Sequence, residues 1–282
     1  MKIALCNEVL RPLAFERQCA LAAALGYDGL EIAPFTLADD PTRIDAGQAR
    51  ALARIAADHG LAITGLHWLL VAPLGLSITS ADAGVRRRTA DAMCRLVELC
   101  ATLGGRVLVH GSPGQRRIGE GTTREAATAY ALECFARAAQ AAEAARVVYC
   151  IEPLARAETE FVNTVAEAVH MVDAVGSPAL RTMIDCSAAA QTEAESVPAL
   201  IERWWPTGKL AHVQVNDPNR RGPGQGALAF APILAVLRRV GYDGVIAVEP
   251  FDYQPDGPQC AARAIGYLRG LMEAADVEAA DD

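Results

Sequence analysis

The chain has 282 residues, 52% of them hydrophobic and 21% charged, with a formal net charge of −8 at pH 7. That apolar content supports a sizeable core and excludes an intrinsically disordered chain. The acidic balance excludes a protein built to grip nucleic-acid phosphates, which needs Lys and Arg clusters, although one or two local arginines can still hold a small anion.

Read from its start, MKIALCNEVL is a strand with one Lys and not a signal peptide, and no apolar run reaches membrane-spanning length. Strand candidates follow at 2–6, 29–33, 62–69, 106–111, 147–153, 181–186, 211–216 and 245–250: short runs rich in β-branched residues. Between them lie Ala- and Leu-rich helical stretches at about 15–25, 46–59, 82–103, 124–145, 165–175, 198–205, 230–240 and 259–274. Thr122 with Glu125, and Thr164 with Glu167, have capping-box spacing. Pro198 suits a first helical turn, and Gly60 and Gly241 suit left-handed helix ends. LGYDGLEI (25–32) and VGYDGVIAVE (240–249) echo each other as helix end, tight turn and new strand. Eight such βα units predict a single domain folded as a (β/α)8 TIM barrel, an α/β class, spanning 1–282 with an acidic, disordered tail over about 276–282. The rival, a doubly wound open sheet, lacks a GxGxxG after its first strand. The eight cysteines form no CxxC pair and read as reduced, buried small hydrophobes of a cytoplasmic protein.

Four oxygen-bearing side chains close successive apolar runs: Glu152 in VVYCIEP, Asp185 in RTMIDC, Gln214 in AHVQVND and Glu249 in VIAVEP. Such groups are costly to bury unless they are paired or coordinate something. Four of them at consecutive strand ends predict one oxygen-rich pocket for a divalent cation at the C-terminal mouth of the barrel. Alternation along the strands puts Val148, Cys150 and Glu152 on one inward face, with Met183 and Asp185, His212 and Gln214, and Ala247 and Glu249 likewise; Val213, Val215 and Val248 turn outward. His67 closes the third strand facing the pocket and His110 closes the fourth. Each reads equally as a substrate contact or as a hydrogen-bonded rim histidine. His212, one pleat below Gln214, reads as a supporting or core group. Trp68 and Phe251 could wall the pocket but read first as packing near the rim, Asn7 and Glu8 read as strand-one groups that reach toward the site, and Arg116 with Arg117 could grip an anionic group but read first as a solvated loop pair.

IEPLARAETEFVNT (151–164), MIDCSA (183–188), HVQVNDPNRRGPGQG (212–226), VIAVEPF (245–251) and, more weakly, GLHWLL (65–70) together resemble the xylose isomerase-like barrel superfamily. The nearest resemblance is to its ketose 3-epimerases and hydroxypyruvate isomerases. The resemblance implies a divalent ion held by Glu152, Asp185, Gln214 and Glu249. An amide at position 214 favours Mn2+ or Mg2+, with Co2+ also allowed, over Zn2+. It implies Glu152 and Glu249 as the acid/base pair of an isomerase or epimerase that moves a proton through an enediolate. Glu158 and Arg220 are implied as substrate-side groups, beside the two histidines His67 and His110 that the strand ends offer as candidate substrate contacts. The substrate would be a small carbohydrate or hydroxy-keto acid, with no nucleic-acid or membrane partner, and the family allows a homodimer or homotetramer. In DCSAAAQ the position where ketose epimerases carry a substrate-binding His is Ala188, which leaves the substrate open. A lyase or dehydratase on the same metal site stays open as the alternative. The endonuclease IV-like DNA-repair branch is disfavoured by the acidic charge and only five histidines.

Overall fold

A computed structural model describes residues 1–281, with side chains described through residue 275. Its eight strands close into an all-parallel barrel in chain order. They are β1 (Lys2–Cys6), β2 (Gly29–Ile32), β3 (Ala62–Leu66), β4 (Val107–His110), β5 (Val148–Ile151), β6 (Leu180–Asp185), β7 (Leu210–Val215) and β8 (Val245–Val248). The helices are α1 (Phe15–Leu25), α2 (Ala46–Asp58), α3 (Ala83–Leu103), α4 (Arg124–Ala145), α5 (Val165–Val175), α6 (Cys186–Thr192), α7 (Val197–Trp204), α8 (Phe230–Arg239) and α9 (Gly257–Asp281). The expected disordered tail over 276–282 falls where side chains are not described, although the α9 backbone continues to Asp281. No described helix is long and apolar enough to cross a membrane.

The apolar mass lies in two layers. A large outer core packs the outward strand residues, among them Ile3, Leu30, Leu108, Val213 and Val248, against the helices. Inside the barrel sit two small clusters, Ala4 with Cys6 and Ala247, and Val109 with Cys150 and Met183. Burial on both faces is why these strands read as nearly continuous apolar runs. All eight cysteines are free thiols, and only Cys94 is not fully buried.

Three local readings are corrected. Helix α4 is capped by Thr123, not Thr122, its side chain accepting from the Ala126 N–H. Thr164 does cap α5, but Glu167 reaches the Asn163 N–H instead of the cap residue's own. The short helix α6 was not anticipated; Asp185 ends β6 and caps α6 at once, its Oδ1 accepting from the Ala188 N–H at 2.6 Å. One side chain therefore serves both a cap and the barrel mouth.

Candidate active site

Strands β5, β6 and β8 each deliver one carboxylate to the same place. Asp185 is the last residue of β6, while Glu152 and Glu249 lie one residue beyond β5 and β8. All three are buried, and each offers an oxygen such that these atoms lie within 4.8 Å of one another.

A frame of hydrogen bonds fixes them. The Asn216 amide donates to Asp185 Oδ2 at 2.8 Å and to the Glu249 carbonyl at 3.1 Å, and its own carbonyl accepts from the Ser187 N–H. Glu249 Oε1 takes hydrogen bonds from His67 Nδ1 at 2.8 Å and Trp68 Nε1 at 3.0 Å, leaving Oε2 buried without a partner. His67 Nε2 meets Glu8 Oε2 at 3.0 Å, so the ring is held between two carboxylates. Burial alone would lower its pKa; Cys6, Glu8 and Glu249 outweigh that and carry it well above the ordinary range. Both nitrogens are thus spent. His67 orients Glu249 instead of presenting a free nitrogen to substrate, which corrects the expected direct contact.

Arg116 corrects the solvated-pair reading: its neighbour Arg117 is exposed, but Arg116 is 1% exposed. Its guanidinium donates to the Glu152 carbonyl at 2.7 Å and to the His110 carbonyl, tying the ends of β4 and β5 together. Gly111, between them, is the surface on which Glu152 rests: a Cβ there would lie 1.7 Å from Glu152 Oε2. His110 itself faces outward. With Val109 inside the barrel, alternation turns His110 to the helix layer, edge-on to Phe135 and 2.9 Å from the Tyr149 hydroxyl. Burial, then Arg116, depresses its pKa well below the usual range, so it stays neutral. It does not reach the substrate side.

Gln214 is the register partner of Asp185 on β7 and is wholly buried. Its Nε2 donates to Glu31 Oε1 at 2.7 Å, and its Oε1 has no hydrogen-bond partner. Glu31 Oε2 stands 2.8 Å from His212 Nε2. Burial would raise the Glu31 pKa, but His212 and Gln214 bring it below the usual carboxylate value. This interior trio pins the amide so that its carbonyl is the end left over. Asn7, by contrast, is a structural tie: it bonds Gln18, Thr36 and the Ala33 N–H.

The carboxylates open into a cavity of about 200 Å³ walled by Ala188, Gln191, Glu158, Arg220, Trp68 and Phe251. Glu158 is half-buried and Arg220 exposed, 3.9 Å apart, with the Arg220 guanidinium 5.0 Å over the Phe251 ring. Arg221 turns away to Asp252. Ala188 meets the cavity with only a methyl group.

Electrostatically the trio is unstable by itself. Burial, and then the Glu249 and Asp185 charges, push the Glu152 carboxyl well above its ordinary pKa. Burial also raises Asp185 and Glu249, against the restraint of the Ala188 N–H and Asn216 on one and of His67 on the other. Facing carboxylates in a dry site repel unless a cation sits between them. The unpartnered oxygens of Gln214 and Glu249 and the all-oxygen donor set fit a hard divalent ion of the Mn2+ or Mg2+ kind.

Comparison with known proteins places the geometry in context. The profile of the xylose isomerase-like TIM barrel family matches residues 19–271. An L-ribulose 3-epimerase from Mesorhizobium japonicum is 29% identical over 240 residues, covering 84% of this chain and 75% of the relative. A ketose 3-epimerase from Arthrobacter globiformis is 25% identical over 249 residues, covering 86% and 80%. A solved L-ribulose 3-epimerase superposes with a TM-score of 0.83 at 23% identity over 99% of this chain and 96% of its own, a likeness of fold.

Proposed function

The chain belongs to the xylose isomerase-like TIM barrel family, and from that membership we propose that it is a divalent-metal-dependent isomerase or epimerase of a small carbohydrate or hydroxy-keto acid. The observation that carries this reading is the meeting of Glu152, Asp185 and Glu249 in one buried cluster at the mouth of the barrel. The named relatives, epimerases of ketose sugars, support it.

A hydrogen on carbon beside a carbonyl is too weakly acidic to leave at neutral pH unaided. When bound, a divalent ion supplies Lewis acidity that stabilises the negative charge of an enediolate. Glu152, Asp185, Gln214 and Glu249 would hold it. The rest falls to the chain's own groups. Glu152 and Glu249 come from strands three apart in the barrel and act as the base that removes the proton and the acid that returns it. His67 and Trp68 fix the Glu249 carboxylate so that Oε2 is its working atom. Glu158 and Arg220, on the cavity wall, orient substrate oxygens. Return of the proton to the opposite face of one carbon gives an epimer; return to the neighbouring carbon gives an aldose–ketose isomer. With Ala188 in place of a histidine, a substrate that needs no hydrogen bond at that point is favoured.

The test is a panel of ketoses and hydroxy-keto acids incubated with Mn2+ or Mg2+ in D2O and followed by NMR. Deuterium should enter the carbon next to the carbonyl of at least one member without loss of water. Loss of a hydroxyl would place the chemistry among the lyases, and no exchange in any member would reject the reading.

A further inference from the structure

The barrel mouth holds an inner chamber and a wider outer one, open to solvent, that share a wall. The inner one, about 200 Å³, contains the carboxylates; the outer one, about 930 Å³, spreads over the loops that follow β1, β2 and β3. Trp68, Arg220 and Phe251 belong to both. These three interlock, with the Trp68 ring edge-on to Phe251 at 6.0 Å and Arg220 stacked on Phe251. Trp68 and Arg220 adopt φ of 51° and 71°, left-handed backbone that non-glycine residues take at a cost. The partition is therefore built into the fold.

We propose that the substrate is a glycosyl ketose: its carbonyl-bearing unit fills the inner chamber and a second, neutral sugar ring occupies the outer one. This inference rests on the isomerase reading above and adds the substrate class. The inner chamber falls below the range of roughly 300–1,000 Å³ in which drug-sized ligands bind, whereas the outer one lies within it. The outer lining combines the rings of Phe35 and Tyr253 with the polar groups Arg11 and Asp39, Arg11 covering one face of Phe35. Aromatic faces receive the C–H side of a sugar ring while polar groups reach its hydroxyls.

Charge decides against an anionic end. Arg11 lies over Phe35 at 5.2 Å and Arg220 faces Glu158, while Glu8 and Asp39 stand in the same lining. The two cations of the outer lining, Arg11 and Arg220, are matched by its two acids, Glu8 and Asp39, so it offers a phosphate or carboxylate no excess of positive charge and a neutral ring fits best.

The experiment compares D-fructose with its 4-O-, 5-O- and 6-O-glycosyl derivatives (lactulose, leucrose and isomaltulose), all of which leave the carbonyl and C3 free. With Mn2+ in D2O, at least one derivative should exchange with kcat/KM ten or more times that of fructose. Asp39→Trp, which fills the outer chamber from an exposed position, and Phe35→Ala should each cut that ratio about tenfold; either alone suffices if the other does not fold. A derivative ratio at or below one overturns the inference, and so does a preference that persists in the folded variants. Exchange with other panel ketoses but none of these four sinks this inference alone, and no exchange with any ketose or keto acid sinks the isomerase reading with it.

Discussion

Glu152→Gln and Glu249→Gln should each abolish hydrogen exchange beside the substrate carbonyl and leave the fold intact. A positioned acid or base contributes about 10²–10⁴-fold to rate, and neither amide can take up the proton, so each kcat should fall by about 10²–10⁴-fold. Stability should not follow. The three carboxylates lie within 4.8 Å of one another, and removing one charge relieves repulsion in the metal-free protein. The new amide at 249 still offers an oxygen to His67 and Trp68, the groups that now bond Glu249 Oε1. Exchange is read by NMR in D2O and folding by thermal denaturation. Retained exchange in both variants would remove these residues from the chemistry.

Gly111→Ala should be nearly as damaging to activity although the glycine has no side chain to take part in the chemistry. A Cβ at this position would stand 1.7 Å from Glu152 Oε2 and 2.8 Å from its carboxyl carbon. Non-bonded atoms do not approach that closely, and the backbone here is not in the left-handed region, so the flexible carboxylate must give way. A displacement on the order of 1 Å at a catalytic group costs about 10²-fold. We expect kcat to fall about 100-fold with little change in melting temperature. An unaltered kcat would mean that the resting position of Glu152 is not its working position. A melting temperature lowered by tens of degrees would mean that the glycine serves the core instead.

Much of this was legible in the sequence because parallel strands buried on both faces leave a strong apolar signature, and the polar residues that end them stand out. The three carboxylates were found that way, and the eight helical stretches lie close to the observed α1–α5 and α7–α9. The supporting residues were not. Asn216 sits two residues beyond Gln214 and bridges Asp185 to the Glu249 backbone, a role that depends on which strands are neighbours. Glu31 looked like an ordinary strand glutamate; alternation alone could have turned it inward, but only the closed barrel brings β7's His212 and Gln214 to it. His110 was misjudged because its face depends on the register of β4, fixed in the structure by Val109 joining Cys150 and Met183. Arg116 was misjudged because a charged loop residue normally seeks water, and here two backbone carbonyls replace it.

Everything rests on a cation between the three carboxylates, and equilibrium dialysis of the purified, chelator-stripped protein against Mn2+ measures it directly. A single ion should bind per chain. At 100 times its dissociation constant it should stabilise the fold by about 2.7 kcal/mol, roughly 5–10 °C in melting temperature. The Glu152→Gln, Glu249→Gln double variant should lose both the ion and the thermal shift. A parent protein that takes up no divalent ion, or a double variant that binds Mn2+ as tightly as the parent, would contradict the account.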